Sequence, residues 1–74
     1  MNADFLQIFK DFSLILRQTR LSEKMTQSQV AEKLGITYQS YQAYELGITL
    51  PTMENFIKLC AIFDITPNDL LGVK

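Results

Sequence analysis

Seventy-four residues, a net charge of −1, one cysteine and no histidine describe a single small domain spanning residues 1–74. They exclude a structural zinc site, which wants four Cys or His ligands, and an intrachain disulfide, which wants two Cys. Apolar residues are 47% of the chain and charged residues 20%, and the charges interrupt every apolar run well short of the roughly 18 positions of a membrane span.

A chain this short buries only about 60% of its unfolded surface, so support must come from close helix packing and self-association. The lone Cys60 in an apolar run suits a reducing interior. The opening "MNADFLQIFKDF" lacks the basic start and small-residue cleavage site of a signal peptide. A cytoplasmic location is therefore expected, with no cofactor, no metal, no membrane partner and no evident small-molecule ligand. The near-neutral balance gives no general pull toward nucleic acid.

The first helix is expected from about Asp4 to Lys24, with Ser22 as an early end. Phe5, Ile8, Phe9, Phe12, Ile15 and Leu16 recur along it at i, i+3, i+4, i+7. No β-branched run alternates at period two, so strands are not expected. Thr26 precedes "QSQVAEKLG", with Gln29 three residues on as a capping box and Gly35 as the left-handed terminator. Thr37 precedes "YQSYQAYELG", which closes at Gly47. Pro51-Thr52 precedes "MENFIKLCAIFD". Thr66 precedes Pro67 at a first helical position, with Asn68 and Asp69 in the first turn and Gly72 closing. The fold class is thus all-α, five helices, four of them capped by threonine.

Helices two and three are each about 12 Å long and are separated only by "GIT", the pattern of a helix-turn-helix. Val30, Ala31 and Leu34 face inward, and Ile36 fills the angle of the turn. Tyr41 and Tyr44 share that inward face. Tyr38, Gln39 and Gln42 fall on the opposite face. A glutamine amide matches adenine N6 and N7 bidentately, and a tyrosine ring can lie against a thymine methyl. Helix N-termini and neutral donors bind phosphates, and Thr26, Gln27, Ser28 and Thr37 stand at two such N-termini. A polar outer face is also what any solvated short helix shows.

The "TQ…VA…LGIT", "Y…YELG…P" and "F..LC..F.ITP.DLL" runs together resemble the Cro/phage-repressor family of helix-turn-helix DNA-binding domains, across about residues 12 to 72. The resemblance implies a compact five-helix domain whose third helix reads double-stranded operator DNA, acting as a homodimeric transcriptional regulator, usually a repressor. It implies base contacts from Tyr38, Gln39, Gln42 and Ala43 and phosphate contacts from Gln27 and Thr37, to which the helix-two N-terminus adds Ser28 as a phosphate candidate. It further implies a structural ion pair between Arg20 and Glu45, and a dimer interface at the tail through Leu70, Leu71 and Val73.

The chain departs from the family where many relatives carry lysine or arginine. The loop after Gly47 reads "ITLPT", and between Gln27 and Thr52 the only base is Lys33. Residues 1–11 form an apolar extension. Phe5, Ile8 and Phe9 are read as core, or as a second oligomer surface. Cys60, four residues after Phe56, reads as core. The leading reading is a sequence-specific DNA-binding regulator. The alternative is a protein-interaction module or antitoxin-like partner that keeps the fold with weak DNA affinity. An enzyme is not expected, because no second carboxylate or nucleophile accompanies Glu45.

Overall fold

The computed structural model describes residues 3–73, which form α1 (Ala3–Ser22), α2 (Gln27–Leu34), α3 (Tyr38–Glu45), α4 (Met53–Phe63) and α5 (Pro67–Leu71), with no strand among the described residues. All four expected threonines are N-caps. The side chains of Thr26, Thr37, Thr52 and Thr66 accept from the amides of Gln29, Ser40, Asn55 and Asp69 at 3.0–3.1 Å. At α2 the box closes, because Gln29 Oε1 accepts from the Thr26 amide at 2.8 Å. Each cap satisfies one helix-end donor and contributes about 1 kcal/mol.

The helix ends repeat one device. At Lys24, Gly35, Gly47, Asp64 and Gly72 the chain turns left-handed, with φ between 53° and 74°. Each of these residues donates to the carbonyl three back, and the next residue donates to the carbonyl five back. That is the Schellman closure. At Lys24 and Asp64 a side chain occupies a conformation that favours glycine. Helix α1 therefore ends at Ser22, and the Lys24 turn carries the chain into α2.

The core gathers Phe12, Leu16, Val30, Ala31, Leu34, Tyr41, Tyr44, Leu59, Phe63 and Leu70. Helix α1 packs against α3 and α5, while α2 packs against α3 and α4. At about 30 Å, α1 is far longer than its partners, so its first turns overhang them. Phe5 and Ile8 are consequently exposed and Phe9 is only partly buried, so this part of the stripe is not core. The Phe5 and Phe9 rings instead meet each other, with centroids 6.2 Å apart. Cys60 is half-buried against the core, as expected, and burial raises its thiol pKa.

One tail residue is corrected. Leu70 is fully buried in its own domain, so it is unavailable for a contact with a second copy. Leu70 is the α5 leucine that the core encloses, while Leu71 packs against the core from its edge. Leu71 is half-buried and Val73 exposed.

Candidate nucleic-acid interface

Helix α3 owes its orientation to a buried polar knot. The Arg20 guanidinium grips the Glu45 carboxylate with two bonds, Nε to Oε2 at 2.6 Å and Nη2 to Oε1 at 3.0 Å. The Arg20 Nη1 also donates to the Met25 carbonyl at 2.9 Å, across the turn that ends α1. The Tyr41 hydroxyl donates to Glu45 from one turn earlier, and Gln27 Nε2 donates to Glu45 Oε1 at 3.0 Å. One carboxylate thus ties α1, the start of α2 and the middle and end of α3. The ion-pair side chains are 9% and 2% exposed, and no buried side-chain polar atom among the described residues lacks a partner. That completeness matters, because a half-satisfied buried network is worse than an apolar core.

Electrostatics follow from the same contacts. Burial alone would push the Glu45 carboxyl up, but the bonds from Arg20, Tyr41 and Gln27 outweigh it and hold its pKa below the ordinary value. The hydrogen bond to Glu45 raises Arg20 against the opposing pull of burial. Burial, and then the neighbouring carboxylate, push the Tyr41 hydroxyl far above its ordinary range.

With Tyr41, Tyr44 and Glu45 anchored inward, the face of α3 that carries Tyr38, Gln39 and Ser40 turns outward. The Tyr44 hydroxyl accepts from Asn55 of α4 at 3.2 Å, and the two tyrosine rings meet edge-on at 6.0 Å. Tyr38, Gln39 and Ser40 are exposed, while Gln42 and Ala43 are half-buried. Gln42 Nε2 donates to the Tyr38 hydroxyl at 3.3 Å, so these two side chains lean together across one turn. Ala43 sits in a cleft with Gln39, Ser40 and the Thr49–Leu50 loop.

The phosphate candidates lie beside this face. Gln27, Ser28 and Tyr38 line one cleft with Thr26, Arg20, Leu21, Lys24 and Met25. Ser28 and Thr37 are exposed. Thr37 Oγ1 caps α3 and donates to Ser40 Oγ at 2.9 Å. Gln27 is half-buried, with its amide braced on Glu45. Leu71 and Val73 lie apart from this surface, at α5, which packs on α1 and α4.

Sequence reasoning gave Tyr41 only an apolar role. Its i, i+4 spacing to Glu45 was the available sign of the hydrogen bond. It also overlooked the bases of α1 that flank α3.

A short capped helix pair, joined by a Gly35 turn and presenting the second helix outward, defines a helix-turn-helix domain. The chain belongs to the helix-turn-helix family, whose model matches residues 16–70. Among its relatives is the cryptic phage CTXphi transcriptional repressor RstR of Vibrio cholerae, 40% identical over 57 residues, covering 77% of this chain and 51% of the relative. Two uncharacterized HTH-type transcriptional regulators of Bacillus subtilis are similar. YqaE is 42% identical over 60 residues, covering 81% of this chain and 52% of the relative. YobD is 36% identical over 58 residues, covering 78% and 52%. The chain spans about half the length of these relatives, which by name are regulators.

Proposed function

We propose that the chain is a sequence-specific DNA-binding transcriptional regulator, in the manner of a repressor, that reads the major groove with α3. The observation that carries this reading is the outward row Tyr38, Gln39 and Gln42 on a helix locked by the Arg20–Glu45–Tyr41–Gln27 knot. Neutral donors and acceptors on a fixed helix suit base edges, with each bidentate pair discriminating by about 1–3 kcal/mol. Ala43 borders the reading face. Gln27, Ser28 and Thr37 offer hydrogen bonds to phosphate from the adjoining N-termini.

The functional unit is a homodimer on two half-sites about one helical turn apart. Leu71 and Val73 serve as its contact, extended by Leu50, Pro51, Met53 and Phe56, which line an apolar cleft with Leu71. The exposed Leu46, Ile48 and Leu50, standing where a backbone-binding loop would carry bases, favour a second reading as a protein-interaction module.

A gel-shift series with a Gln39→Ala, Gln42→Ala double variant separates the two. The proposal expects sequence preference in the parent chain and its loss in the variant, with an unchanged melting temperature. Preference that survives the double change would overturn the reading face. Absence of DNA binding at any salt, with self- or hetero-association retained, would favour the interaction module.

A further inference from the structure

The bases missing from α3 and its loop are found on α1 and the turn that closes it. Lys10 and Arg17 are exposed and lie two turns apart on one line of the helix, roughly 10.5 Å from each other. Lys24 follows, exposed, on the left-handed turn that closes α1. None of the three forms an ion pair among the described residues, where the pairs are Arg20–Glu45 and Lys58–Glu54.

The row runs beside α3 over its whole length. Lys24 shares a cleft with Gln27, Ser28 and Tyr38 at the start of α3. Lys10 shares another with Glu45, Leu46 and Gly47 at its end. By helical spacing Arg17 lies between them along α1. Of the two acids in this stretch, Asp11 lies on the other flank, its Cβ 3.8 Å from where a Cβ on Gly72 would sit, beside α5, and Glu23 is exposed next to Lys24. Lys24 also borders Glu32 and Lys33 of α2. Three of the chain's seven bases therefore line the α3 edge of a domain whose net charge is −1.

We propose that Lys10, Arg17 and Lys24 form the backbone-phosphate rail of the DNA interface, running along the strand that borders the groove occupied by α3. This rests on the DNA-reading role proposed above. It removes the difficulty raised by the uncharged loop, because the neutralised phosphates lie against α1 rather than against residues 46–52. Released counterions give affinity a salt slope of about 0.9 per phosphate contacted.

The test is the salt dependence of binding to a random-sequence duplex of about 30 base pairs, read by fluorescence anisotropy from roughly 50 to 200 mM salt. Lys10→Gln, Arg17→Gln and Lys24→Gln are each expected to lower the slope by about 0.9, and the triple variant by about 2.7. Over a fourfold salt range that makes the parent lose about 40-fold more affinity than the triple variant. Lys58→Gln on α4, with the charge removed elsewhere, is expected to leave the slope unchanged. All four side chains are exposed, so circular-dichroism melting curves are expected to match the parent. Parent binding with unaltered slopes in the three variants overturns the rail and leaves the DNA reading standing. No binding by the parent at low salt overturns both.

Discussion

Replacing Glu45 with glutamine tests how α3 is held. The carboxylate accepts from Arg20, Gln27 and Tyr41, and its side chain is 2% exposed. Glutamine keeps the shape but presents an N–H pair where a donor already points, and it leaves the 9%-exposed Arg20 without its counter-charge. Breaking one side of a buried pair costs about 3–5 kcal/mol. A 74-residue domain holds only about 4–11 kcal/mol in total. Each kcal/mol moves the melting temperature of a domain this size by about 4–8 °C, so Glu45→Gln lowers it by at least about 12 °C. Thermal and urea unfolding followed by circular dichroism measure the loss. An Arg20→Met, Glu45→Leu double variant is expected to recover part of it, since no unpaired charge remains. A single-variant loss below about 1 kcal/mol would refute the knot as the element that fixes α3.

Other outcomes follow from the same contacts. Because the folded Glu45 pKa lies below its ordinary value of 4.5, its contribution to stability is full above that pH and is lost as pH falls through the folded value. Acid titration of stability should show this in the parent and not in Glu45→Gln. Tyr41 is held neutral, so its contribution is present below pH 10 and declines as pH rises above it, a loss that Tyr41→Phe removes. Leu70→Ala, at a fully buried site, lowers stability by about 2–5 kcal/mol in a monomer as in a dimer. An effect seen only at concentrations that dimerise the chain would return Leu70 to the interface. Lys24→Gly relieves a left-handed backbone strain of about 1–2 kcal/mol at φ 57° and is expected to raise the melting temperature while flattening the salt slope.

The punctuation of this fold was legible because it is local. Each threonine cap needs only its own helix's third amide, and each glycine closure only the last turn. Gly35, Gly47 and Gly72 announced themselves, whereas Lys24 and Asp64 adopt the same turn with side chains that give no such sign. The outward set Tyr38, Gln39 and Gln42 followed from helical spacing, as did the inward Tyr41 and Tyr44. What spacing does not carry is where a neighbouring helix stops. The apolar stripe continues through Phe5 and Ile8, but α3 and α5 are too short to cover it. Leu70 and Leu71 read alike in sequence, and only the packing of α5 on α1 separates the fully enclosed leucine from the half-buried one. The α1 bases escaped notice because they lie outside the helix-turn-helix in sequence while flanking it in space.

The central claim is that α3 reads DNA bases with neutral side chains. Selection of bound sequences from a random duplex library, run in parallel with the parent chain and the Gln39→Ala, Gln42→Ala variant, tests it most directly. The account predicts that the parent enriches a pseudo-palindrome with half-sites about 10 base pairs apart, and that the variant loses adenine preference at the contacted positions. No enriched sequence with the parent, or an identical one with the variant, contradicts it.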